Sequence, residues 1–261
     1  MRRILLIVWR VWFYTLAAIP VLVLFPLLVV LVFLPNGYPS IFWIARNIWS
    51  PFILIGTGFW TQIKNISGAK HNQSYLLIAN HTSYIDPFLI LRAWKTPFVF
   101  VGKKELVEIP IFGFIYKRAA IMVDRSDKKS RFAVYGLANK VIHGGYSVCI
   151  FPEKDYLDEA ILLNEFKRGA FKLAIEHQLP ILPMVFYDPK RMFPWHTYFG
   201  FPGVMRIEIH PPFETEGYTE EDILELQKKA REFIHGKLLA DPKQRAVTAV
   251  GKWESLYPSG R

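Results

Sequence analysis

The stretch LLIANHTSYIDP, at Leu76–Pro87, runs from four apolar residues through a polar loop to an Asp-Pro pair. The apolar run is typical of a short buried strand. Asp-Pro is a strong helix start, because aspartate caps a helix N-terminus and proline fits the first helical position. The stretch therefore predicts a strand, a polar loop and a helix, which is the unit that builds α/β folds.

Outward from this stretch, apolar runs typical of strands alternate with segments of helical periodicity. Strands are predicted at Tyr75–Ala79, Phe98–Val101, Ile121–Val123, Ser147–Phe151, Ile181–Phe186 and Val204–His210. Helices are predicted at Pro87–Trp94, Ser130–His143, Arg168–His177 and Thr219–Leu239. The alternation predicts an α/β fold with a largely parallel central sheet flanked by helices.

The N-terminal part predicts a membrane anchor. Val11–Leu34 carries no charge and is long enough to cross a hydrocarbon core of about 30 Å as a helix, bent by Pro20 and Pro26. Three arginines, the last of them Arg10, precede it and predict a cytoplasmic N-terminus. A second apolar segment, Ile41–Trp60, is rich in tryptophan and predicts an interfacial helix. Either one true span or a re-entrant helix with both ends in the cytoplasm fits this pattern.

The chain of 261 residues is expected to hold one catalytic domain. We assign residues 1–62 to the anchor, 63–240 to the catalytic domain and 241–261 to a peripheral C-terminal tail. The net charge of +10 suits anionic lipids or substrates, although nucleic acid would select the same excess. The single cysteine, Cys149, excludes an intramolecular disulfide and is interpreted as a core residue. We expect a cytoplasmic (inner) membrane protein whose catalytic domain faces the cytoplasm.

His81 and Asp86 share the polar loop after the first strand. Capping alone would explain a lone Asp86, but a histidine on the same loop favours a site, because α/β sheets place sites at the carboxyl ends of strands. Acyl transfer from a thioester to an alcohol needs a base for the hydroxyl proton, and a carboxylate on the other ring nitrogen fixes the imidazole. This chemistry needs no nucleophilic serine, and the sequence has no G-x-S-x-G motif.

The motif NHTSYID, at Asn80–Asp86, resembles the His-x4-Asp signature of the glycerolipid acyltransferase family, lysophosphatidic acid acyltransferase type. Further blocks that resemble the family follow in order between residues 76 and 186. They are the basic segment Phe100–Leu106, then Ala120–Arg125, Phe151–Glu153 and Leu179–Met184. The resemblance implies that His81 is the general base and that Asp86 is its partner.

The resemblance also implies substrate-binding residues. Arg125 would contact the acceptor phosphate, Glu153 the acceptor glycerol, and Lys104 lies in the basic segment. The third block departs from the family, because Lys154-Asp155-Tyr156 replaces the usual Gly-Thr-Arg. Lys167 and Arg168, at the start of the next predicted helix, could supply the missing positive charge.

The predicted reaction moves a fatty acyl chain from acyl-CoA or acyl-acyl carrier protein to 1-acylglycerol 3-phosphate, giving phosphatidic acid in phospholipid biosynthesis. The expected partners are membrane lipids, the lysophospholipid acceptor and the acyl donor. No metal or bound cofactor is expected, since the histidines lack metal-ligand spacing, and no nucleic acid is expected, since no nucleic-acid motif is present. Two alternatives stay open: acylation of another lysolipid or an amino-acid lipid, and a catalytically inactive membrane lipid-binding protein.

Overall fold

A computed structural model describes residues 2–124, 127–153, 161–195, 197 and 199–243. In these residues, seven strands form one sheet with α-helices on both faces. The strands are β1 (Phe59–Asn65), β2 (Leu76–Ala79), β3 (Phe98–Lys103), β4 (Ala120–Val123), β5 (Ser147–Ile150), β6 (Ile181–Phe186) and β7 (Gly203–Ile209). The helices are α1 (Arg2–Val23), α2 (Phe25–Phe33), α3 (Tyr38–Ile44), α4 (Ser50–Gly56), α5 (Asp86–Ala93), α6 (Phe112–Ala119), α7 (Lys128–His143), α8 (Gly169–Glu176), α9 (Pro189–Met192) and α10 (Ile223–Ala240).

The sheet has the strand order β1-β7-β6-β2-β5-β3-β4. Strands β2 to β6 are mutually parallel, whereas β7 runs antiparallel to β6 and β1 pairs parallel with β7. The prediction of a largely parallel sheet flanked by helices is therefore confirmed. Because β2 lies between β5 and β6, the loops that follow these three strands meet at one edge of the sheet.

Both faces of the sheet are covered, which explains why β2 is apolar at every position. Leu77 and Ala79 join a core on one face with residues of α1, α4 and α5. Leu76 and Ile78 point into the opposite core with residues of α7, α8 and α10. Successive side chains of a strand point to opposite faces, so only a strand between two helical layers reads as a continuous apolar run. Cys149 is buried in the first core, as predicted.

The apolar N-terminal stretch forms two helices instead of the single predicted one. Helix α1 ends at Val23 and α2 begins at Phe25, with Pro26 in the first turn of α2. Proline donates no backbone hydrogen bond and clashes with the preceding helical turn, which explains why the helix is interrupted at Leu24, two residues before Pro26. Of the described helices, one is long and apolar enough to cross a bilayer by length and composition, Arg3–Val23.

The next apolar segment also differs from its prediction. α3, a π-helical turn at Ala45–Trp49 and α4 form a helical stretch that ends at Gly56, and Trp60 lies in strand β1 instead of the predicted helix. The predicted domain boundary at residue 62 thus falls inside β1. Sequence periodicity missed β1 because it is an edge strand whose residues are mostly exposed. The division into anchor, catalytic domain and tail stays a prediction.

Helix α1 packs against the rest of the chain. The indole nitrogens of Trp9 and Trp12 donate to the carbonyl oxygens of Thr57 (3.0 Å) and Gly56 (2.9 Å). From the α3–α4 stretch, the indole of Trp49 donates back to the carbonyl of α1 residue Ala17 at 2.9 Å. These bonds fix α1 against the end of α4, next to the first strand of the sheet.

Candidate active site

Asn80 fixes the start of the loop that carries the predicted motif. Its side-chain Nδ2 donates to the carbonyl of Phe186 and its Oδ1 accepts from the Phe186 N–H, both at 2.9 Å. Asn80 follows β2 and Phe186 ends β6, so the side chain extends the pairing of the two strands by one residue. The side chain is buried, where two satisfied hydrogen bonds are needed to offset desolvation.

His81 and Asp86 lie in contact, as the family resemblance implied. The Nδ1 of His81 lies 3.0 Å from Oδ2 of Asp86, and the backbone N–H groups of Thr82 and Ser83 each donate to the same oxygen at 2.8 Å. The capping prediction was wrong in one respect: Asp86 is the first residue of α5, and its carboxylate turns back to the loop instead of capping that helix. The carboxylate therefore organises the loop around the imidazole.

Burial raises the pKa of Asp86 above its ordinary value, and the hydrogen bonds from His81, Ser83 and Thr82 oppose that shift. Burying a carboxylate carries a desolvation cost, and the contacts of Oδ2 with His81, Thr82 and Ser83 offset part of it. Here the charge holds the Nδ1 proton, which directs Nε2 of His81 away from Asp86.

Two aromatic side chains contact the imidazole. The ring of Phe151 stacks on His81 with centroids 4.0 Å apart and planes at 13°, and Trp195 meets it edge-on at 4.4 Å and 83°. The His81 side chain keeps 27% of its surface exposed, so the imidazole is enclosed on some sides and reachable on another. Trp195 was not predicted as a site residue, because it lies more than a hundred residues from the motif and outside every recognised block.

Glu153 joins the same site. Its Oε2 accepts the backbone N–H of His81 at 2.8 Å, while Oε1 accepts the backbone N–H (3.0 Å) and the side-chain Nδ2 (3.1 Å) of Asn164. The residue is 7% exposed, and burial raises the pKa of its carboxyl group despite these hydrogen bonds. The structure therefore brings His81, Asp86 and Glu153 together, with Asn164 as a partner that the sequence did not reveal.

The other predicted binding residues lie elsewhere or outside the described residues. Lys104 is mostly exposed, and its Nζ lies 3.9 Å from Oδ2 of Asp124. The Lys167 N–H donates to the carbonyl of Pro152 at 2.7 Å, next to Glu153. Arg168 lines a surface pocket of about 520 Å³ with Lys172 and two glutamates. Arg125 and residues 154–160, with the altered third block, lie outside the described residues. Their substrate contacts stay predictions.

Comparisons with known proteins agree with this geometry. The family model for acyltransferases matches residues 61–187, a range that contains β2, the His81 loop and Glu153. Residues 61–187 are therefore similar to the acyltransferase family. The predicted resemblance is thereby confirmed. Among the described residues, no group of three or more His, Cys, Asp or Glu side chains is placed to hold a metal ion.

Individual relatives carry more specific names. A 1-acyl-sn-glycerol-3-phosphate acyltransferase of Limnanthes alba is 30% identical over 188 residues, covering 70% of this chain and 66% of its own. The alpha form of that enzyme from Mus musculus is 30% identical over 177 residues, covering 64% of this chain and 60% of its own. The chain thus spans slightly less than two thirds of the length of these relatives.

A solved structure shares the fold. The crystal structure of a 1-acyl-sn-glycerophosphate acyltransferase from Thermotoga maritima superposes with a TM-score of 0.73. The superposition covers 92% of this chain and 99% of the other at 18% sequence identity. It therefore includes most of the N-terminal helices as well as the sheet.

Proposed function

We propose that the chain transfers a fatty acyl group from a thioester to the free hydroxyl of 1-acylglycerol 3-phosphate and so forms phosphatidic acid. The observation that carries the proposal is the 3.0 Å contact between Nδ1 of His81 and Oδ2 of Asp86 at the carboxyl edge of the sheet. That contact leaves Nε2 as the nitrogen that can accept a hydroxyl proton. The names of the relatives support the choice of acceptor.

The acceptor hydroxyl attacks the thioester directly, by addition to the carbonyl followed by loss of the thiolate. Nε2 of His81 takes the proton of the acceptor hydroxyl while the oxygen attacks the thioester carbonyl, forming a C–O bond and a tetrahedral oxyanion. The oxyanion then collapses, the C–S bond breaks, and the leaving thiolate takes the proton from the imidazolium. Asp86 stabilises the imidazolium between these two steps. No acyl-enzyme is formed.

The donor is an acyl-CoA or an acyl-acyl carrier protein, since both present the same thioester. The proton passes from the acceptor hydroxyl through His81 to the leaving thiolate, and no group changes its oxidation state. The proposed reaction therefore requires no metal or redox cofactor.

In this proposal, positively charged side chains bind the acceptor phosphate. Arg125, Lys104, Lys167 and Arg168 are the candidates, because phosphate recognition depends on positive charge and directed N–H donors.

We further propose that the protein acts at the cytoplasmic (inner) membrane with its catalytic domain facing the cytoplasm. Apolar side chains on α1 and α2 are exposed, among them Val23 and Phe33, which supports membrane association. Attachment suits the chemistry because acceptor and product are lipids. A site at the interface avoids extracting an acyl chain into water, which costs about 0.8 kcal/mol per methylene.

The test is an acyl-transfer assay with purified protein in detergent. Labelled acyl-CoA and acyl-acyl carrier protein are each offered with a panel of lysolipids, amino-acid lipids among them. We expect His81→Ala and Asp86→Asn to lower kcat by about a hundred- to ten-thousandfold, because the first variant lacks the general base and the second lacks the carboxylate that orients it. His143→Ala is the matched control, since His143 is exposed on α7 and should retain wild-type activity.

The acceptor panel separates the alternatives. Transfer to lysophosphatidic acid that depends on His81 supports the proposal. Transfer confined to acceptors without that phosphate would move the substrate to another lysolipid or amino-acid lipid, an outcome favoured by Lys154-Asp155-Tyr156 in the third block. If no combination of acyl donor and acceptor gave transfer, the result would favour the alternative of a catalytically inactive lipid-binding protein.

A further inference from the structure

Arg10 is a buried cation in the apolar helix α1. The residue is 7% exposed, and its Nη2 donates to the backbone carbonyls of Thr197 (3.0 Å) and Phe199 (2.9 Å). The guanidinium also lies over the ring of Phe193, 3.7 Å from its centroid. Burying a guanidinium against carbonyls and an aromatic ring carries a desolvation cost that a surface position would avoid. The contacts therefore indicate a role beyond the flanking charge that the sequence suggested.

Phe193, which Arg10 contacts, also contacts the catalytic loop, and Trp195, two residues further along the chain, contacts His81. We call Phe193, Trp195, Thr197 and Phe199 the aromatic segment; it follows α9. The carbonyl of Phe193 accepts the hydroxyl of Ser83, and Trp195 packs edge-on against His81. Arg10 thus fixes this segment on both sides of Trp195, at Phe193 and at Thr197 and Phe199.

A second contact path joins the same helix to the site. The ring of Tyr14, one helical turn after Arg10, meets Tyr84 with centroids 6.0 Å apart. Tyr84 lies in the His81 loop and meets Trp195 at 5.9 Å. Phe13 packs on Phe193 at 4.9 Å. One face of α1 is therefore continuous with the wall of the candidate active site.

We propose that Arg10 is a positioning residue for the acyl-transfer reaction. It holds the aromatic segment so that Trp195 and Phe151 together fix the plane of the His81 ring. The N-terminal helix then forms part of the catalytic centre in addition to attaching the protein to lipid. This inference rests on the proposed function for its kinetic consequence, while its structural part concerns only the enclosure of His81.

Arg10 is expected to affect kcat because an imidazole held by a single hydrogen bond can still rotate about that bond. The Nδ1 contact with Asp86 fixes one end of the ring, and the neighbouring aromatic rings limit its rotation. Loosening Trp195 would let Nε2 move relative to the acceptor hydroxyl. Misplacement by about 1 Å can cost about a hundredfold in rate. Acceptor affinity should change little, because Arg10 contacts the segment and not the lipid.

The test compares Arg10→Met, Arg10→Lys and the matched control Arg3→Met in detergent micelles, which removes membrane attachment as a variable. Arg3 is exposed on the same helix. We expect both Arg10 variants to lower kcat by about ten- to a hundredfold with the acceptor KM within about twofold of wild type. Lysine should fail as well, because an ammonium cannot reproduce the planar guanidinium over Phe193 with its two carbonyl contacts. Wild-type kcat in Arg10→Met and Arg10→Lys would overturn the proposal.

A double-mutant cycle with Trp195→Ala identifies the route. If Arg10 acts through Trp195, the combined loss of Arg10→Met and Trp195→Ala will be smaller than the product of the single losses. A combined loss equal to that product would overturn the route through Trp195. If Arg10→Met does not fold, Arg10→Lys takes its place in the cycle.

An activity-independent measurement separates this inference from the proposed function. Modification of His81 by diethyl pyrocarbonate, followed by peptide mass spectrometry, reports how well the ring is enclosed. We expect the His81 rate to rise by about threefold or more in both Arg10 variants while the exposed His143 reacts at an unchanged rate. An unchanged His81 rate would overturn the inference. An inactive wild type with a raised His81 rate in the variants would refute the proposed function alone.

Discussion

Glu153 has both carboxylate oxygens engaged by the protein, which separates two roles for this residue. The family resemblance implies a contact with the acceptor glycerol, whereas the geometry shows Oε2 on the His81 N–H and Oε1 on Asn164. Through its hydrogen bonds to His81 and Asn164, Glu153 fixes the start of the catalytic loop. The contact with the acceptor glycerol stays a prediction.

Glu153→Gln distinguishes these roles. Glutamine offers one acceptor oxygen, so either the His81 N–H or the Asn164 N–H would face an NH2 group and lose its hydrogen bond. We expect kcat to fall by about tenfold or more while the acceptor KM stays within about twofold. Steady-state kinetics with varied acceptor checks this, with Glu165→Gln as the control because Glu165 is exposed. A raised KM at unchanged kcat would instead assign Glu153 to the acceptor.

Among the elements, β6, β7 and α10 are joined by one arginine. Arg206 of β7 donates to both carboxylate oxygens of Asp188, which follows β6, at 2.8 Å each. It also donates to both oxygens of Asp241, which follows α10, at 2.9 and 2.7 Å. Asp241 is buried, so the predicted C-terminal tail begins with a residue that is fixed to the sheet. The cluster fixes the end of α10 against the sheet, on the face where α10 packs on Leu76 and Ile78 of β2.

Burial alone would raise the pKa of Asp241, but the hydrogen bonds from Arg206 outweigh it and hold that pKa below the ordinary value. A carboxyl whose pKa is lowered on folding stabilises the folded state above its unfolded pKa of about 3.9, and the contribution is lost as pH falls through the folded pKa. Asp188 responds in the same direction, because Arg206 and Arg191 lower its pKa against the opposing effect of burial.

Asp241→Asn tests this cluster. At pH 7 we expect the variant to unfold about 3 to 6 °C below wild type, because asparagine pairs with Arg206 without a charge. The difference should shrink below about pH 4, as wild-type Asp241 becomes protonated. Thermal unfolding across pH measures it, and Glu232→Gln on the exposed side of α10 is the control. A difference that stays constant with pH would contradict the electrostatic explanation.

The whole molecule presents an apolar surface on its N-terminal helices. Phe33 at the end of α2 is 69% exposed and lies near Phe114 of α6. Many apolar side chains of α1 and α2 are exposed, which suits contact with a lipid surface. The net charge of +10 favours anionic lipid. Whether α1 spans the bilayer or returns to the same side stays a prediction.

Phe33→Glu should weaken attachment to lipid. The substitution removes a large apolar side chain from the predicted membrane face and adds a negative charge, so we expect partition onto anionic vesicles to fall by about tenfold. Leu224→Glu is the matched control, because Leu224 is 64% exposed at the start of α10, which packs on the opposite face of the sheet from α1 and α4. Vesicle co-sedimentation measures both variants. Equal losses would show that charge alone explains the effect.

Local sequence determined strands β2 to β7, helices α5, α7, α8 and α10, and the pairing of His81 with Asp86. Strands covered on both faces are apolar throughout, so β2 and β6 could be predicted from their residues alone. His81 and Asp86 are five residues apart on one loop, so a short turn suffices to bring Nδ1 to Oδ2. These features depend on neighbours in sequence, which is why the pattern and the family blocks revealed them.

Only the tertiary structure decided which distant residues complete the site. Glu153 accepts from His81 across 72 residues, Trp195 meets the imidazole from beyond β6, and Arg10 reaches Thr197 across 187. Strand β1 likewise takes its place only by pairing with β7. Such contacts arise from the close packing of complete elements, which leaves no periodic signal in either partner. The sequence therefore determined the catalytic pair and strands β2 to β7, and tertiary packing determined the place of β1 and how α1 and the loop after β6 hold the pair.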